Sequence, residues 1–176
     1  MFDFLKILIH FFDSNKIPYM LSGSVAMSTY TVPRFTRDFD FVVHLKLQDV
    51  ANFKEQFNDG YYCNEESVRE AVNQKGIFNI IDHKSGYKAD FVILKNDPYR
   101  QKEFSRRRPI DFLDMKLYVV SPEDLLLSKL IWIQDLQSGV QMEDIKALYL
   151  LPDLDRVYIY EWINTLKLNT FKLLDE

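Results

Sequence analysis

Two short segments place acids at the mouth of otherwise apolar strands, and together they constrain this chain more than any other feature. Asp38-Phe39-Asp40-Phe41-Val42-Val43 alternates and then turns apolar, as a central strand does. Lys88-Ala89-Asp90-Phe91-Val92-Ile93-Leu94 sets a lone acid before a strongly apolar run. Side chains at i and i+2 of a strand share a face, about 7 Å apart, so Asp38 and Asp40 point the same way. Two carboxylates held there repel each other unless a cation lies between them. Carboxylate oxygens suit Mg²⁺, which also binds phosphates. If the second strand pairs beside the first, Asp90 joins the pair, and such a trio can hold two metal ions ~4 Å apart. Each acid taken singly is also what an ordinary solvated strand end offers.

The rest of the chain supplies enough apolar material to bury such strands. It has 176 residues, 47% of them hydrophobic and 15% aromatic, which excludes general disorder. A net charge of −4 argues against a generic basic nucleic-acid binder. One cysteine, Cys63, and three scattered histidines cannot build a disulfide or a zinc site. No stretch reaches the ~18 apolar residues of a membrane span, and the apolar start carries Asp3 and Lys6, unlike a signal peptide. The chain is therefore read as soluble and cytoplasmic.

Periodicity predicts helices over 2–13, 25–30, 47–57, 65–73, 121–134, 142–150 and 155–168, and strands over 17–21, 38–45, 77–82, 88–94 and 118–120. His83-Lys84-Ser85-Gly86 has hairpin chemistry. Residues 97–109 read as a polar, basic stretch. The expected fold class is α/β (α+β): a mixed-sheet core over 1–120, followed by an all-helical C-terminal subdomain over 121–176 that packs on it.

Two further signals carry chemistry. Leu21-Ser22-Gly23-Ser24 lies between a strand and a helix, where glycine lets backbone approach a phosphate and Ser24 adds a hydroxyl; such a pair is also a common helix cap. Ser121-Pro122-Glu123-Asp124 is a strong helix start. In the helix that follows, Lys129 has Leu125 and Leu126 one turn before it and Trp132 and Ile133 one turn after. An amine in that company either snorkels to solvent or meets an anion.

In this order and spacing the segments resemble the nucleotidyltransferase superfamily with the DNA polymerase β-like fold. Its pattern is an apolar residue and Gly-Ser, an Asp-x-Asp strand, and a third acid on a later strand. Here Leu21-Ser22-Gly23-Ser24 is followed by thirteen residues, Asp38-Phe39-Asp40 and later Asp90. The closer resemblance is to bacterial minimal nucleotidyltransferase-like proteins near the abortive-infection type toxins. It is carried by Pro33–Asp40, Phe78–Ile81, Ser85–Asp90, Ser121–Leu130 and Glu143-Asp144-Ile145. The resemblance implies Asp38, Asp40 and Asp90 as catalytic residues and ligands of Mg²⁺ or Mn²⁺, with Asp90 helping to activate an acceptor hydroxyl. It implies Gly23, Ser24 and Lys129 at the NTP phosphates, Arg34 and Arg37 within reach of a phosphate, and Asp144 as a structural partner, of Lys129 for example.

The implied reaction moves a nucleoside monophosphate from an NTP to an RNA end, a protein or a small molecule. A toxin using that chemistry with an antitoxin partner, and a non-catalytic nucleotide-binding module, are the alternatives. The run Arg106-Arg107-Arg108, with Arg100 and Lys102 upstream, offers either phosphate contacts or a solvated loop. Tyr61, Tyr62 and Phe104 offer either base stacking or core packing.

Overall fold

The computed structural model describes residues 2–33, 36–112 and 114–175. In chain order the elements are α1 (Phe2–Ser14), β1 (Tyr19–Ser22), α2 (Gly23–Met27), β2 (Asp38–Val43), a 3-10 turn (Leu47–Asp49) running into α3 (Val50–Gln56), β3 (Tyr61–Tyr62), α4 (Glu65–Gln74), β4 (Ile77–Asp82), β5 (Lys88–Ile93), α5 (Pro98–Ser105), β6 (Arg108–Phe112), β7 (Met115–Val119), α6 (Pro122–Asp135), α7 (Gly139–Tyr149) and α8 (Arg156–Leu166). Among the described residues the strands form one mixed sheet in the order β3-β4-β5-β2-β1-β7-β6. β2 pairs parallel with β5, and β1 parallel with β7. The expected mixed α/β fold is the one observed, and no helix of the described residues is long and apolar enough to cross a membrane.

Strict alternation on the two central strands divides the sheet into two chemically different faces. Phe39, Phe41 and Val43 on β2, and Ala89, Phe91 and Ile93 on β5, are buried on one side. There Phe41 stacks on Phe91 at 5.7 Å, Phe12 of α1 meets Phe41 at 5.5 Å, and Phe53 of α3 meets Phe91 at 5.6 Å. Each such phenyl removed from water contributes about 1.5–3 kcal/mol, so this aromatic layer fixes the register of both strands. The other face carries Asp38, Asp40 and Val42 beside Lys88, Asp90 and Val92.

Three regions depart from the sequence reading. α2 ends at Met27 because three hydroxyls bond back to its carbonyls: Ser28 to Ser24, Thr29 to Ala26 and Thr31 to Met27. Residues 97–109, read only as a polar, basic stretch, hold a helix and the start of a strand. Asp97 accepts from the Arg100 backbone N–H, Pro98 takes the first turn, and α5 follows. Beyond it β6 and β7 form a hairpin.

The basic run belongs to the scaffold. Arg106 donates to Asp124 at 3.0 Å and to Glu123 at 3.1 Å, and lies over the Tyr158 ring. Arg108 reaches Glu123, and Arg107 donates to the Phe104 carbonyl. These arginines tie α5 and β6 to α6 and α8. Phe104 is buried and Tyr61 stacks on Phe4, so both are core residues, while Tyr62 is exposed.

Candidate active site

Parallel pairing of β2 with β5 sets Asp40 directly opposite Asp90 and Asp38 opposite Lys88. Antiparallel pairing of β1 with β2 sets Ser22 opposite Asp40. Backbone register alone therefore brings together the three acids and the Gly23-Ser24 turn, which lie far apart in sequence. Gly23 has φ +62°, and a Cβ there would fall 1.8 Å from Asp40 Oδ2. Only glycine lets the chain leave β1 this close to the carboxylate.

Asp40 is a charge held in tension. Burial pushes the Asp40 carboxyl above the usual aspartate range, and the charges of Asp90 and then Asp38 push it further; Lys129 and Lys88 act in the opposite sense. Lys88 was not singled out by sequence, yet its ammonium lies 2.7 Å from Asp90 Oδ2 and 4.0 Å from Asp38 Oδ1. Its hydrogen bond to Asp90 raises the ammonium pKa above the ordinary lysine value. The two-residue period that puts Asp38 and Asp40 on one face also puts Lys88 beside Asp90, so the signal was present in the sequence.

Among the described residues no three His, Cys, Asp or Glu side chains are gathered at ligating geometry; the Lys88 ammonium stands between Asp38 and Asp90. The donor set nevertheless fits a hard divalent cation. It is made of carboxylate oxygens on neighbouring strands, one of them held up by burial and like charge, which is the condition a bound cation relieves.

A cleft of about 390 Å³ opens along this face between the sheet and α6. Gly23, Ser24, Asp40 and Lys129 line it. Lys129 is 6% exposed and does not snorkel: its ammonium donates to Asp144 Oδ2 and Gln141 Oε1, both at 2.8 Å. The structure thus pairs Lys129 with Asp144 across α6 and α7 while keeping it on the cleft wall. Arg37 is exposed and is not a lining residue; its backbone carbonyl accepts from the Lys88 N–H. Arg34 lies outside the described residues.

The cleft also contains residues that the sequence reading left out. Val42, Val92 and Ile77 form an apolar floor beyond the acids, with Leu125, Ser128 and Trp132 of α6 opposite. Arg100 and Glu103 of α5 stand at that end.

No family model and no curated protein matches the sequence. Solved structures do match. The lincosamide antibiotic adenylyltransferase LnuA, bound to lincomycin, is 17% identical over 84% of this chain and 95% of its own, with a TM-score of 0.54. The antibiotic-resistance factor ANT(2'')-Ia is 10% identical over 93% of this chain and 89% of its own, at 0.58. An antigenic nucleotidyltransferase-like protein from Paracoccidioides brasiliensis is 16% identical over 91% and 84%, also at 0.58. The fold is that of the nucleotidyltransferases. Within the nucleotidyltransferase fold, the β1–α2 turn, Asp40 of β2 and the inward face of α6 line one cleft, with Asp90 of β5 paired beside Asp40.

Proposed function

We propose that this protein is a metal-dependent nucleotidyltransferase that moves a nucleoside monophosphate from an NTP to a hydroxyl acceptor. The observation that carries the reading is the register that sets Asp40 opposite Asp90, on the face shared with Asp38 and beside a glycine that only a backbone in close approach requires.

In this reading Asp38, Asp40 and Asp90 hold Mg²⁺ or Mn²⁺. The bound cations supply charge neutralisation at the transferring phosphoryl group and lower the pKa of a coordinated hydroxyl. Gly23 and Ser24 offer backbone N–H groups and a hydroxyl to the triphosphate. Lys129, already held toward the cleft by Asp144, offers its ammonium to the same phosphates. Asp90 takes the acceptor hydroxyl proton, the acceptor oxygen bonds to the α-phosphorus, and the bond to pyrophosphate breaks. Lys88, which holds Asp90 and Asp38 by its ammonium, would yield them to a bound cation.

A small hydroxylated molecule is the acceptor this reading favours. Two of the similar structures are an antibiotic adenylyltransferase holding lincomycin and an antibiotic-resistance factor. The arginines of 106–108, the strongest candidate for an RNA backbone, are engaged with Glu123, Asp124 and Phe104.

The test is incubation with each α-labelled NTP, Mg²⁺ or Mn²⁺, and separately a panel of small hydroxylated compounds, total RNA and cell extract. Label should move to an acceptor with the native protein and not with Asp40→Asn. Absence of both transfer and NTP binding would overturn the reading.

A further inference from the structure

The end of the cleft away from the acids is built around one guanidinium. Arg100 Nη1 donates to Glu103 Oε2 at 2.8 Å and to Ser128 Oγ at 2.6 Å. Ser128 in turn donates to Glu103 Oε1. Glu103 is 1% exposed, so this triangle is anchored in the interior. The contacts use one nitrogen of the guanidinium. Nε and Nη2 have no hydrogen-bond partner in the chain among the described residues, neither is a fully buried unpaired atom, and Arg100 lines the cleft. Those two nitrogens form the lateral edge of the guanidinium, whose parallel N–H groups suit a pair of acceptors.

The space before that edge is apolar and two-walled. Val42 and Val92 lie one same-face step, about 7 Å, along their strands from Asp40 and Asp90. Ile77 pairs with Val92 and is 67% exposed. Leu125, Ser128 and Trp132 recur at i, i+3 and i+7 on the cleft side of α6, and Trp132 is 49% exposed. An exposed isoleucine and tryptophan lining the same cleft as a guanidinium already paired with a carboxylate favour a flat, uncharged ring carrying two acceptors over a second anion.

Resting on the nucleotidyl-transfer reading, we propose that this end of the cleft reads the nucleobase, with the Nε/Nη2 edge of Arg100 selecting guanine. Guanine presents O6 and N7 as adjacent acceptors, the pair an arginine fork takes bidentately. Adenine presents an amino donor in place of O6 and meets the donor-only fork with a mismatch. The selection differs in kind from phosphate binding at the acid end, which all NTPs share.

The experiment is calorimetric titration of the native protein with GTP, ATP, CTP and UTP in Ca²⁺, alongside 7-deaza-GTP, which lacks the N7 acceptor. GTP should bind about tenfold or more tightly than ATP, the discrimination of one good bidentate pair. 7-deaza-GTP should fall between them. Arg100→Lys keeps a charge beside Glu103 but has no fork; it should lose the preference, GTP weakening more than ATP, with folding checked by its thermal midpoint. Equal binding of GTP and ATP by the native protein would overturn the assignment of Arg100 and leave nucleotidyl transfer standing. Equal weakening of all four NTPs in Arg100→Lys would also overturn it, making Arg100 a phosphate contact. Failure of every NTP to bind would remove the nucleotidyl-transfer reading itself, and this proposal with it.

Discussion

Two groups of three carboxylates lie within this small protein, and the fold treats them in opposite ways. Glu103, Glu123 and Asp124 are buried where α5 and β6 meet α6 and α8. Arg100 pairs with Glu103, Arg106 with both Glu123 and Asp124, and Arg108 with Glu123. Ser121 and Tyr158 add hydroxyl donors to Asp124. Asp38, Asp40 and Asp90 line up on the open sheet face with Lys88 as ion-pair partner of Asp38 and Asp90, while Lys129 is engaged with Asp144. A buried carboxylate costs several kcal/mol unless charge and hydrogen bonds offset it. The first trio is offset within the chain and so serves as structure. In the second, burial and like charge hold Asp40 above the usual aspartate range, which in the proposed reading is the tension a bound cation relieves.

The sharpest way to break this contrast is to delete one acid from each group. Asp124→Ala should destabilise the fold by about 3–5 kcal/mol, because it removes one of the two carboxylates that hold Arg106 and leaves the Tyr158 hydroxyl and Ser121 without their buried acceptor. A denaturant midpoint close to the native one would show that the buried trio is not a structural anchor. Asp40→Asn should do the reverse. Transfer activity should fall beyond the 10–100-fold that even an outer partner of a metal ligand costs, while apo stability holds or rises. A less stable but active Asp40→Asn would erase the distinction between the two groups.

Gly23→Ala probes how tightly the open group is built. Its Cβ would meet Asp40 Oδ2 and its φ of +62° would be strained, for a cost of about 1–3 kcal/mol. NTP affinity should weaken alongside stability. Native stability together with native NTP affinity would show that the turn does not need its close approach.

The smallest effect concerns pH. Asp40 is raised in the folded protein, so its protonated form is favoured there. The stability this contributes is present below the unfolded carboxyl pKa and is lost as pH rises through the raised folded value. The native apo protein should therefore lose stability relative to Asp40→Asn on going from acid toward neutral across that window. Parallel pH–stability curves for the two proteins would contradict the charge tension at the site.

Much of the candidate site was legible because it follows from local rules. The acids of β2 and β5, the Gly23-Ser24 turn and the apolar surroundings of Lys129 are patterns of spacing and period. Lys88 was equally legible, since one strand period links it to Asp90. Helix α5 was legible too, through Asp97-Pro98, but the polar composition of 97–109 concealed it. The partners of the arginines in 106–108 were not, because a run of like charges looks the same whether it faces solvent, a phosphate or three buried carboxylates.

The sequence by itself determined the two-faced strands, the helix starts and the presence of three acids with a glycine turn, because alternation, capping and turn conformation act over a few residues. Tertiary structure decided that Asp40 faces Asp90, that Lys129 pairs with Asp144, and that Arg100 lines the cleft while Arg106 ties the end of α5 to Glu123 and Asp124. Those outcomes depend on which strands pair and which helix covers which face. Pairing of that kind is fixed by burial of the whole aromatic layer, Phe12, Phe41, Phe53 and Phe91 together, and not by the charged residues whose neighbours it sets.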